Sequence, residues 1–236
     1  MERGLCESRE KARRAILAGQ VRVNGRRAGK ASDRVRAGDM IALEAGERYA
    51  SRGGLKLEHA IGKFGIKVAG AVAIDLGAST GGFTDCLLQA GAAKVFAVDV
   101  GRGQLAWKLR TDPRVVVMEK TNARFLKAEQ FPGLFDLAVI DCSFISLRKI
   151  LPAATLLTKP GGRIIALIKP QFEAGKAEAD KGRGVIRDSK VHERVLRELR
   201  EFISAQAGLC WRDVVESPLS GPAGNKEFLA LIEKAN

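Results

Sequence analysis

Short apolar runs closed by charged or glycine-rich loops constrain this chain more than any other feature. Ile164-Ile165-Ala166-Leu167-Ile168, Leu137-Ala138-Val139-Ile140 and Val95-Phe96-Ala97-Val98 lack polar alternation, so both faces of each strand must be buried. The pattern predicts strands over 72–76, 94–98, 115–118, 134–140, 163–168, 211–215 and 228–232, with helices over 84–90, 147–157 and 189–207. Strands and amphipathic helices that alternate in this way build a mainly parallel sheet covered on both faces. At 236 residues the chain has room for that domain and one small one.

Open sheets of this kind bind ligands beyond the carboxyl ends of their strands. The first such loop reads Ile74-Asp75-Leu76-Gly77-Ala78-Ser79-Thr80-Gly81-Gly82-Phe83-Thr84. Its glycines let the backbone approach a ligand, and the helix starting near Gly82 offers free N–H groups. A tight structural turn would look similar. Asp99, which ends the next strand 22 residues beyond Gly77, favours the binding role, because an acid there accepts hydrogen bonds from ribose hydroxyls. An adenosine-containing cofactor is expected. Ser79 replaces the second glycine of a dinucleotide fingerprint, so NAD fits poorly. Asn122, after the third strand, either meets the adenine or caps the following helix.

Four more charged residues fall at the same end of the sheet. Asp141 and Lys169 each end an apolar strand, Lys56 opens a helix in Ser51-Arg52-Gly53-Gly54-Leu55-Lys56-Leu57, and Glu227 precedes the last strand. A charge after a buried strand often marks only where the chain meets water. Two lysines and two carboxylates together, however, can tune a lysine or orient an alcohol: a neighbouring ammonium lowers a lysine pKa, and a carboxylate raises it and fixes its position. Phe144 and Phe172 flank these candidates. Either can stack on an extruded base, although core packing is the simpler expectation for Phe144. Cys142 has no partner histidine or cysteine and is not expected to act as a nucleophile. The segment 173–187, with Gly175, Gly182, Gly184, Lys176, Lys181 and Arg183, reads equally as an RNA-contacting flap or as a solvated loop.

Charge identifies the partner class. The net formal charge is +13, and the 28 residues from position 9 to 36 hold ten basic against two acidic side chains. Arg9, Arg13, Arg14, Arg22, Arg26, Arg27 and Lys30 are the candidate nucleic-acid contacts. Ser8 can cap a helix that Gly19 stops, Asn24-Gly25 marks a hairpin between Val21-Val23 and the next strand, and Val35, Ile41 and Leu43 around Gly38-Asp39 suggest a further strand pair. No apolar run approaches the roughly 20 residues that a membrane-spanning helix needs. Four scattered cysteines and two histidines, His59 and His192, support neither a disulfide framework nor a metal centre. No apolar leader follows Met1, so a reduced, cytoplasmic setting is expected.

Several of these runs resemble known families. Ser8-Arg9-Glu10-Lys11-Ala12, Ile16-x-x-Gly19-x-Val21-x-Val23-Asn24-Gly25 and Val35-x-x-Gly38-Asp39-x-Ile41 are similar to the S4 RNA-binding domain. The Arg-Leu-Asp type segment with which such domains usually begin is missing, so this unit is expected to start short. Asp75 to Phe83 resembles motif I of class I S-adenosylmethionine-dependent methyltransferases. That resemblance assigns Asp75, Gly77, Ser79, Gly81, Gly82, Phe83, Asp99, Asn122 and Asp141 to the cofactor, with 77–81 around its methionine part and Asp99 on its ribose. Lys56, Asp141, Lys169 and Glu227 match the Lys-Asp-Lys-Glu tetrad of FtsJ-like ribose 2′-O-methyltransferases. Together with Asp141-Cys142-Ser143-Phe144-Ile145-Ser146 and Lys169-Pro170-Gln171-Phe172-Glu173, the whole chain resembles the TlyA family, some of whose members carry a haemolysin label.

The resemblance implies an S4-type α+β RNA-binding domain over 1–47, a linker over 48–53 and a Rossmann-like α/β methyltransferase domain over 54–236. It implies methylation of a cytidine ribose 2′-OH in ribosomal RNA, free or in ribosomal subunits. For that chemistry Lys169 is the expected base, with Lys56 lowering its pKa and contacting the ribose or phosphate, and Asp141 and Glu227 orienting the lysines and the hydroxyl. A non-catalytic RNA-binding or ribosome-assembly protein with a vestigial cofactor fold, and a nucleotide-dependent oxidoreductase, are the alternatives.

Overall fold

The computed structural model describes residues 3–6, 8–17, 19–43, 48–221 and 223–236, leaving the side chains of Arg14 and Lys176 undescribed. It divides into two compact units, Met1–Arg48 and Tyr49–Asn236.

In the first unit, helix α1 (Arg9–Leu17) begins where Ser8 Oγ accepts the Lys11 N–H at 3.1 Å. It ends at Gly19, whose φ of 70° lets the Gln20 N–H reach the Ala15 carbonyl at 2.9 Å. Strand β1 (Val21–Val23) turns at Asn24 and Gly25, both with positive φ, and returns as β2 (Arg26–Arg27). Strand β3 (Ile41–Leu43) pairs with the other edge of β1. The expected strand pair around Gly38-Asp39 does not form, and Val35 is exposed. Side chains take over the backbone partners there. Asp39 accepts the Arg36 N–H at 2.7 Å and the Asn24 Nδ2–H at 2.9 Å, while Asp33 accepts the Lys30 N–H at 2.8 Å.

The second unit runs α2 (Gly53–Phe64), β4 (Val72–Leu76), α3 (Gly82–Gln89), β5 (Lys94–Val98), α4 (Trp107–Arg110), β6 (Val115–Met118), β7 (Phe135–Ile140), α5 (Leu147–Leu157), β8 (Thr158–Ile168), α6 (Pro170–Glu173), α7 (Lys176–Lys181), α8 (Ser189–Ser204), β9 (Leu209–Glu216) and β10 (Phe228–Lys234). The strands form one sheet in the order β6-β5-β4-β7-β8-β10-β9. Five are parallel, and β10 lies antiparallel between β8 and β9.

Alternate residues of the central strands feed two cores. Ile74, Ile140 and Ile164 pack with Leu151 and Leu199 on one face, and Ala73, Val139 and Ile165 pack with Leu57 and Leu87 on the other. Each fully buried Leu or Ile contributes about 1.5–3 kcal/mol, which is why the runs are unbroken. From β4 the chain winds first to β5 and β6, then crosses to β7 and β8. Strand order therefore reverses at β4, and the crevice opens where β4 and β7 end.

Candidate active site at the carboxyl ends of the strands

The loop leaving β4 is held against both neighbouring strands. Gly77 and Ala78 donate their N–H groups to the Val98 carbonyl at 2.9 and 3.0 Å. Gly77 has φ 92°, and a Cβ there would stand 2.8 Å from the Asp141 carbonyl oxygen, so only glycine fits. A side chain at Gly81, φ 95°, would collide with Leu105 and Leu109. Asp99 ties this loop to the next by accepting the Ser79 N–H at 2.8 Å and the Gly101 N–H at 2.7 Å. Ser79 itself is left-handed, with φ 48°.

Asp75 lies beneath the loop, fully buried. Its Oδ2 accepts the Thr84 hydroxyl at 2.7 Å, and among the described residues its Oδ1 has no partner. Burial pushes its pKa up to about 7; the Thr84 hydrogen bond opposes this and the nearby Asp141 charge adds to it. An orphaned buried oxygen, a carboxylate after β5 and a helix N-terminus opened by Gly81 and Gly82 fit an adenosine cofactor bearing an amino group. Phe83 is packed in the core at 2% exposure, leaving its backbone as the ligand-facing part. Gly82 seats α3 against α2, where a Cβ would approach Gly54 N to 3.0 Å. Asn122 accepts the Arg124 N–H at 3.0 Å and caps a short 3-10 turn.

The tetrad residues gather at this end of the sheet as two ion pairs. Lys169 Nζ lies 2.7 Å from Asp141 Oδ1 and donates to Ser143 Oγ at 2.8 Å. Lys56, on the first turn of α2, pairs with Glu227, and both are more than nine-tenths buried. Phe228 faces Ile168 in the β8–β10 ladder, which sets Glu227 and Lys169 side by side as the strands emerge. Gly53, one turn ahead of Lys56, packs on Asp141, where a Cβ would lie 3.7 Å from Oδ2. Gly221 backs Glu227, with a built Cβ 2.5 Å from Oε1. Glu227 was expected to orient a lysine, and the lysine it pairs with is Lys56.

Around the pairs the structure departs from expectation at Phe144. It is 90% exposed with φ 63°, and its ring centroid stands 5.2 Å from that of Phe172. The left-handed turn throws the side chain outward instead of into the core. Burial pushes the Cys142 thiol up to about 12, with Asp141 adding and Lys169 opposing, so it stays protonated and unreactive. The 173–187 segment is not a plain loop. It holds the end of α6 and all of α7, and buried Asn225 anchors it by accepting the Ile186 N–H at 2.9 Å and donating to the Gly184 carbonyl at 2.9 Å. Sequence reasoning missed Ser143, Asn225 and Val100, an apolar residue 69% exposed beside Asp99. Only exposure of an apolar side chain next to a ribose-type acid singles out the last.

Among the candidate RNA contacts, Arg9, Arg13, Arg26, Arg27 and Lys30 are exposed and Arg22 is half-buried. Arg27 lies over Gly19 at the end of α1. The side chains of Arg14 and Lys176 and positions 44–47, at the end of the expected RNA-binding domain, fall outside the described residues. No helix among the described residues is long and apolar enough to cross a membrane.

A seven-stranded sheet with β10 antiparallel, a glycine loop after β4 and an acid after β5 define the class I methyltransferase fold. The chain belongs to the FtsJ-like methyltransferase family, whose model matches residues 49–234, and the S4 domain model matches residues 2–41. It is 46% identical over 236 residues to the 16S/23S rRNA (cytidine-2'-O)-methyltransferase TlyA of Mycobacterium tuberculosis, covering 97% of this chain and 85% of the relative. A solved structure of a candidate hemolysin from Streptococcus thermophilus is 46% identical with TM-score 0.78, covering 100% of this chain and 86% of the other. The O-methyltransferase TomG from Streptomyces achromogenes, solved with SAM, shares the fold at 16% identity and TM-score 0.54, over 79% of this chain and 81% of its own.

Proposed function

We propose that this protein transfers a methyl group from S-adenosylmethionine to the ribose 2′-OH of a cytidine in ribosomal RNA. The observation that carries the reading is the Lys169–Asp141 pair, which stands where β7 and β8 end, with Asp141 packed against Gly77 of the cofactor loop. When bound, the cofactor supplies an electrophilic methyl on a sulfonium. Gly77, Ser79, Gly81 and Gly82 would hold its methionine part through the backbone of this loop, and the partnerless Asp75 Oδ1 would accept a donor. Asp99 would exchange an amide partner for the ribose hydroxyls. Val100 offers an apolar face to the adenine, and Asn122 stands after the third parallel strand, β6.

A 2′-OH is weakly acidic, so its attack benefits from a base as the C–O bond forms. Lys169 must first release its ammonium proton to solvent; its free amine then takes the hydroxyl proton at Nζ, while Asp141 and Ser143 hold the amine in place. Lys56 and Glu227 form the buried floor of the site. Holding the hydroxyl in line with the methyl supplies several kcal/mol, up to about 7–11 in the best intramolecular systems. Phe144, outward and braced by Phe172, offers a stacking face to an extruded base. The exposed basic residues Arg9, Arg13, Arg26, Arg27 and Lys30 of the first unit contribute phosphate contacts.

The test is transfer of labelled methyl from S-adenosylmethionine to naked ribosomal RNA and to isolated subunits, with the modified ribose mapped afterwards. Label in a cytidine 2′-O-methyl supports the reading. RNA binding without transfer would favour an assembly factor instead.

A further inference from the structure

Strands β7 and β8 are parallel neighbours, so the segments leaving them, 141–146 and 169–173, run alongside each other. Lys169 bonds to Asp141 and Ser143 at the near end. At the far end Glu173, the last residue of α6, reaches back across the gap. Its Oε2 accepts the Ser146 hydroxyl at 2.7 Å and its Oε1 accepts the Leu147 N–H at 2.7 Å. Between these anchors the Phe172 ring meets Phe144.

This carboxylate is more than helix α5 requires. Ser146 already caps that helix by accepting the Arg148 N–H at 3.2 Å. A cap needs no ionisable group, and one removed from water carries a desolvation cost. Burial raises the Glu173 pKa, against the Ser146 and Leu147 hydrogen bonds. What the carboxylate adds is a bidentate tie between two loops.

We propose that Glu173 is a positioning residue that clamps the Asp141–Ser146 loop to the Lys169 strand end, so that Lys169, Ser143 and Phe144 keep one arrangement around the incoming ribose. The proposal rests on the methyl-transfer reading above and names a residue which that reading does not use.

The experiment compares Glu173→Ala, Glu173→Gln and Ser146→Ala in the full chain, measuring kcat, KM for RNA, cofactor affinity and amide hydrogen exchange at Leu147. Misplacement near 1 Å costs up to about 100-fold in rate, so Glu173→Ala should lower kcat by about 10- to 100-fold. KM for RNA and cofactor affinity should stay within about twofold, and Leu147 exchange should quicken. Glu173→Gln keeps an acceptor for the Leu147 N–H and should recover most of the rate. Should the alanine variant fail to fold, Glu173→Gln and Ser146→Ala carry the test, each expected to lower kcat modestly and, combined, non-additively. Unchanged kcat alongside faster Leu147 exchange overturns the proposal. So does strict additivity, or a loss confined to KM or cofactor affinity. A wild-type chain that methylates no RNA overturns the underlying reading and this proposal with it, whereas an active wild type with an indifferent Glu173 overturns the proposal alone.

Discussion

Lys56 and Glu227 lie 171 residues apart in the chain and meet in an ion pair that is almost entirely out of water. Removing one partner leaves an uncompensated buried charge. Glu227→Ala should cost about 3–5 kcal/mol in denaturant unfolding, whereas the double change Lys56→Met with Glu227→Leu should regain most of that stability without regaining methyl transfer. Equal losses for the single and double variants would show that the pair is not the stabilising unit.

Lys169→Ala should abolish methyl transfer while cofactor affinity, measured by calorimetry, stays within a few-fold. Lys169→Arg should be as inactive, because a guanidinium cannot give up its proton to become a base. Turnover near wild type in either variant would take Lys169 out of the chemistry.

Asp75 gives a pH signature in stability. Its folded-state pKa of about 7 lies above the ordinary 3.8, so the folded chain holds a proton that the unfolded chain has released. Its contribution is fully present below about pH 4 and is lost as pH rises to about 7, a change on the order of 4 kcal/mol. Asp75→Asn, which mimics the neutral acid, should flatten this slope between pH 4 and 7. Parallel unfolding curves for the two proteins would contradict it.

Gly77→Ala puts a methyl 2.8 Å from the Asp141 carbonyl in a left-handed backbone. Cofactor binding should fall by at least tenfold and the melting temperature should drop, since the strained turn alone costs of order 1–3 kcal/mol. Retained affinity would mean that the loop tolerates a different path.

The exposed arginines of the first unit should reveal themselves through salt. Arg13→Ala and Arg26→Ala should each weaken ribosomal RNA binding and reduce the slope of log K against log salt by about one. An unchanged slope would mean that the side chain touches no phosphate.

Much of this architecture is legible in the sequence, because buried parallel strands such as 164–168 leave no room for polar residues and hence announce both their place and their class. Short helices do not announce themselves. α4, α6 and α7 span four to six residues each, below the length at which periodicity registers, and their neighbours decide them. Phe144 was misjudged because hydrophobicity says nothing of a left-handed turn. The partners of the two lysines were hidden for another reason: which acid meets which lysine depends on the insertion of β10 beside β8.

That insertion has an effect on timing. β10 leaves the ribosome after every other strand of its sheet, yet it occupies an interior place and brings Glu227 with it. A nascent chain can complete its glycine loop and its Lys169–Asp141 pair while Lys56 still lacks its counter-charge. Premature termination before this hairpin would thus release a chain with one half of the centre assembled, and competence would arrive only with the closing of the sheet.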